Sequence, residues 1–70
     1  MTVHEWVAAY AEKLGVAAPD QATFDLLLEI AAEAAHASER IAAPIACFLV
    51  GRTQHEVDHA LELARQVGSG

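Results

Sequence analysis

His55-Glu56-Val57-Asp58-His59 carries the H-E-x-x-H spacing. On a helix that spacing sets two imidazoles one turn apart on one face, and the glutamate between them becomes a general base beside a bound zinc ion. Taken literally, the pattern describes a hydrolytic metal centre. Four features weigh against it. Thr53-x-x-Glu56 is also a capping box, which gives Glu56 a local task at a free backbone N–H. The pattern then falls in the frayed first turn of its helix. Asp58 puts a charge where a buried active-site helix carries an apolar residue. A chain of 70 residues also leaves little room for a third ligand and a substrate cleft, and no spacing singles out His4 or His36 as that ligand. We expect no functional metal; if one binds, His55 and His59 hold it adventitiously.

Other reactive side chains are fewer. Cys47 lies inside Ile41-Ala-Ala-Pro-Ile-Ala-Cys-Phe-Leu-Val50, a run without one polar side chain. A cysteine there reads as a small hydrophobe, since a nucleophilic thiolate needs a neighbouring base and a lowered pKa. Trp6 and Tyr10 read as core and rim packing. There is no Gly-rich phosphate loop, no C-x-x-C and no Ser-centred elbow, so no cofactor is expected. His36 and Arg40, with Glu39 between them, cluster before Pro44. Cationic groups at that point complement a helix C-terminus. They could also form a small pocket for an anion, because Arg presents a planar fork and His titrates near neutrality.

The side chains must be positioned by helices. Alanine, the best helix former, dominates a 54% hydrophobic composition, and β-branched residues are scattered. Thr2-x-x-Glu5 is a capping box, and Val3, Val7, Tyr10 and Leu14 follow at helical spacing and are expected to form its inward stripe, widened by Trp6 and Ala11. This predicts a first helix from about Val3 to Leu14, closed by Gly15. Asp20, or Thr23, caps a second helix whose apolar residues include Phe24, Leu27, Leu28 and Ala31. It must end before Pro44, which disfavours α geometry at Ala43. A third helix is predicted from Pro44 to Val50, closed by Gly51. The Thr53 capping box opens a fourth, with Val57, Ala60, Leu61, Ala64 and Val67 inward.

A helix apolar on every side is a buried helix. The expected fold is therefore all-α, a compact bundle of four short helices around a buried central third helix. Residues 1–67 form one domain and 68–70 a flexible tail. The single cysteine excludes an internal disulfide and fits a reducing, cytoplasmic compartment. A net charge of −6 argues against nucleic acid and against anionic membranes. Trp6, Val16 and Ile41 exceed what one small bundle can cover, which suggests a homodimer or a standing partner.

Ala35-His36-x-x-x-Arg40-x-Ala42-Ala43-Pro44, Phe48-Leu49-x-Gly51 and the opening Glu5-Trp6-Val7 resemble a small actinobacterial family of unknown function. Its members occur alone, or fused or adjacent to enzymes that attach guanine nucleotide to the molybdenum cofactor. Where the family pattern places a proline after the arginine, this chain has Ile41. The H-E-x-x-H run is not part of the pattern. The resemblance implies an accessory role near molybdenum-cofactor maturation, with a molybdenum-cofactor enzyme as protein partner, and it marks His36, Arg40 and Pro44 as the matching positions. The leading expectation is a non-catalytic interaction domain. The alternatives are a metal-binding domain or minimal zinc hydrolase using His55, Glu56 and His59, and an anionic-ligand binder using His36 and Arg40.

Overall fold

A computed structural model describes residues 1–67; the expected flexible tail lies outside the described residues. Helix α1 spans Val3–Leu14. Both halves of its capping box form: the Glu5 N–H donates to Thr2 Oγ1 at 3.1 Å, and the Thr2 N–H donates to Glu5 Oε1 at 2.7 Å. It closes on Gly15 at φ 78°, with the Val16 N–H reaching back to the Ala11 carbonyl at 3.0 Å. That left-handed residue frees the chain to turn away while satisfying the last carbonyls. Helix α2 spans Gln21–Ala37, and Asp20 caps it by accepting from the Thr23 N–H at 2.8 Å.

Helix α3 spans Ala42–Arg52, two residues more at each end than the sequence suggested. Pro44 becomes its third residue. The first turn of a helix has no intrahelical acceptors for its N–H groups, so the missing one costs nothing there. Ala43 is helical, and Gly51 continues the helix instead of closing it; Thr53 in extended geometry ends it. Helix α4 spans Val57–Val67. The expected second capping box does not form. Thr53 Oγ1 accepts from the His55 N–H at 3.3 Å, and the first turn of α4 begins with Ala60 N–H on the Glu56 carbonyl at 2.9 Å.

The architecture is all-α, with α2 and not α3 at its centre. Helices α3 and α4 both pack along α2. Ile30, Ala60 and Leu61 form the core, and Leu26, Ala46, Val50 and Val57 pack against them. Arg65 and Glu33 tie α4 to α2 across 3.6 Å, half-exposed. Helix α1 meets α2 through His4, whose ring lies edge-on to Phe24 at 4.6 Å, and buries Ala11. The expectation of a buried central α3 is corrected. No residue of α3 is buried, and Ile45, Phe48 and Leu49 are 60%, 61% and 59% exposed. The reason is geometric. Covering a helix on every side takes neighbours around its whole circumference, and among the described residues only α2 packs closely along α3.

Candidate functional site

The positions singled out by sequence lie on opposite sides of a helix break. His36 sits exposed in the last turn of α2, which ends at Ala37. Ser38 leaves helical geometry at φ −141°, ψ −104°, so Arg40 does not follow His36 by one helical turn. Arg40 is exposed in the α2–α3 turn, and Pro44 is exposed in the first turn of α3. Neither His36 nor the Arg40 guanidinium makes a hydrogen bond or ion pair among the described residues. The start of α3 is also occupied by its own turn. The Ala42 N–H donates to the Glu39 carbonyl at 2.9 Å and the Ala43 N–H to the Arg40 carbonyl at 3.1 Å. Pro44 has no N–H to offer. Three of the groups that cradle an anion at a helix N-terminus are thus spoken for or absent.

His55 precedes α4 and His59 is its third residue, so the H-E-x-x-H run straddles a helix start. The two rings nevertheless approach to 4.9 Å between centroids, tilted by 54°. Glu56 contributes its carbonyl to α4, and its side chain takes no capping role. His59 Nδ1 lies 4.0 Å from Glu62 Oε2, both exposed. No group of three or more His, Cys, Asp or Glu side chains among the described residues is arranged to hold a metal ion. The Cys47 thiol is half-buried and donates weakly to the Leu27 carbonyl at 3.9 Å. Burial pushes its pKa up, the opposite of what a nucleophile requires.

Sequence reasoning missed an apolar groove. An open groove of about 750 Å³ runs between the C-terminal half of α2, α3 and α4. Its more buried lining residues are Ile30, Ala34, Ala46, Val50, Ala60 and Ala64, and Ile41, Ile45, Leu49 and Leu63 stand exposed at its lips. Glu33, Glu39 and His55 are the charged or titratable groups at its edge. His36, Arg40 and Pro44 are not part of its lining. The expected inward stripe of α1 is corrected: Val3, Trp6, Tyr10 and Leu14 stand half or more exposed and form a second apolar surface, and Ala11 is the residue that α1 buries. The signal was present in the sequence. Large apolar residues on the first and third helices outnumber the alanine-rich surface of the second that could receive them. The surplus at Trp6, Val16 and Ile41 is found as expected, at 54%, 60% and 72% exposed. No helix among the described residues is long and apolar enough to cross a membrane.

A family model described as "Domain of unknown function (DUF6457)" matches residues 1–69. No curated protein and no solved structure matches the chain.

Proposed function

The chain belongs to the DUF6457 family, and we propose that it serves as a non-catalytic helical interaction domain, with a molybdenum-cofactor enzyme as its partner. One observation carries the interaction reading. Two faces of large apolar side chains, on α1 and along the α2–α3–α4 groove, stand uncovered in a chain of 70 residues. Contiguous apolar surface of this kind marks a docking site on a small domain. The molybdenum-cofactor link rests on the resemblance of the His36-x-x-x-Arg40 to Pro44 run and on nothing in the geometry. The competing metal reading draws its support from the close approach of the His55 and His59 rings, which accounts for two ligands. The anionic-ligand reading has His36 and Arg40 to offer, both held open to water.

The test is a calorimetric titration of the full chain into a purified guanylyltransferase of the molybdenum cofactor. Saturable binding is expected, weakened at least tenfold by Leu49→Glu on the groove lip and unchanged by His59→Ala. Absence of binding would remove the molybdenum-cofactor link. Binding that survives Leu49→Glu and is lost with His36→Ala and Arg40→Ala would replace the apolar reading with the polar one.

A further inference from the structure

We infer that the first occupant of these apolar faces is a second copy of the chain, in a reciprocal dimer. The outer stripe of α1 in each copy enters the α2–α3–α4 groove of the other. This rests on the interaction reading above and names its partner. The first support is area. A self-sufficient monomer of 7.4 kDa exposes about 4,200 Å², whereas this chain exposes 5485 Å². The excess, about 1,300 Å², is more than the ~800 Å² that one partner contributes to a standard stable interface.

The second support is the size of the core. Ala11, Ile30, Ala60 and Leu61 are its only buried residues among those described, and two of the four are alanines. One cysteine allows no internal disulfide. A domain this small ordinarily needs a staple or additional buried surface. Cover that is needed whenever the chain is folded must come from something always present with it, and another copy meets that condition at every site of synthesis.

The third support is shape. The deeper part of the groove holds four alanines, Ala34, Ala46, Ala60 and Ala64, beside Ile30 and Val50, and its exposed lips are branched aliphatics. The outer face of α1 presents the two largest side chains of the molecule, Trp6 and Tyr10, with rings 5.0 Å apart. Large side chains fit a hollow most of whose deeper residues are small. The 12 residues of α1 make a rod about 18 Å long, which a groove walled by 11-residue helices accommodates. Because the stripe and the groove are different surfaces, a one-way contact would propagate. Exchange in both directions about a two-fold axis closes the assembly.

Sedimentation of the unmodified chain from micromolar to millimolar concentration tests the pairing, with the emission of Trp6, the sole tryptophan, followed in parallel. A monomer–dimer curve is expected, with emission moving to shorter wavelength along it. Added salt should favour the dimer, since each copy carries −6. A monomer throughout, or a dimer with unchanged Trp6 emission, overturns the inference. Reciprocity is tested by mixing two variants. Trp6→Glu spoils the stripe and leaves the groove; Ile45→Glu spoils the groove and leaves the stripe. Both replace residues exposed in the single chain, and circular dichroism reports whether each stays helical. Each should be monomeric alone, and an equimolar mixture should associate through one intact contact, with Trp6 of the Ile45→Glu copy shifting to shorter wavelength. No association in the mixture, or dimerisation of either variant alone, rejects the exchange. If the unmodified chain is monomeric yet still binds the guanylyltransferase with the Leu49→Glu loss described above, the dimer falls and the interaction reading stands.

Discussion

Truncating Phe48 and truncating Ile30 to alanine should cost the single chain very different amounts, and the difference distinguishes α2 from α3 as the centre of the fold. Full burial of a large apolar side chain contributes ~1.5–3 kcal/mol relative to exposure. Phe48 is 61% exposed, so about two-fifths of that, roughly 1 kcal/mol, is at stake. The Arg52 guanidinium, 5.6 Å from the ring centroid, adds about 0.5 kcal/mol at an exposed position. The better helix propensity of alanine returns a similar amount. The net expectation is about 1 kcal/mol, or ~4–8 °C in Tm for a chain of this size. Ile30 is 1% exposed. Removing its three outer carbons forfeits about 2.4 kcal/mol at ~0.8 per methylene. Ile30 also lines the groove, so the space it leaves opens partly to water and the cavity term stays small. The total is about 3 kcal/mol, within the ~2–5 seen for such truncations. That is a large part of the ~3.5–10 kcal/mol available to 70 residues. Urea melts of dilute protein followed by circular dichroism measure both. If Phe48→Ala costs as much as Ile30→Ala in dilute, concentration-independent melts, α3 is buried after all and α2 is not the centre of the fold.

Four further outcomes follow from the same structure. The Glu5 carboxyl is held below the usual carboxylate range, first by the Thr2 N–H, and that of Asp20 first by the Thr23 N–H. A carboxylate with a lowered folded pKa stabilises above its unfolded value and loses that contribution as pH falls through the folded one, so NMR titration should place both midpoints in acid and helix content should drop there. Prolonged treatment with a chelator should leave the helical circular dichroism and Tm unchanged; a collapse that His55→Ala and His59→Ala reproduce would establish a structural metal at those two residues. His36→Ala and Arg40→Ala should each move stability by no more than ~0.5 kcal/mol, as expected for exposed sites, and a loss above about 1.5 would show a contact absent from this structure. Gly15→Ala should cost about 1 kcal/mol or more, because φ is 78° and nothing lies near the added methyl to compensate; an unchanged melt would mean that α1 ends differently.

The helices were legible where local chemistry decides them. Thr2-x-x-Glu5, Asp20 and Gly15 set the ends of α1 and the start of α2 through hydrogen bonds within three to five residues, and those bonds need no tertiary information. Thr53-x-x-Glu56 has the same spelling and a different outcome. Thr53 is claimed by the end of α3, so the capping residue and the helix it should open are separated by three residues. A motif whose first residue also terminates the preceding element cannot be assigned without knowing where that element ends.

Burial was less legible because it is a property of neighbours. The run from Ile41 to Val50 is wholly apolar, and within a large protein that would place it inside. Here the number of helices sets the limit. With α2 as the shared support, α3 and α4 are each covered on one side and leave the opposite side to whatever else is present. The same physical fact that made α3 look central makes its outer side the groove lip, since Ile45 and Leu49 are apolar whether or not this chain supplies their cover. The polar candidates came apart for a related reason. His36 and Arg40 are four apart, a spacing that brings side chains together only while the helix continues. Ser38 breaks it between them, and their separation follows from one residue's backbone angles and not from their own chemistry.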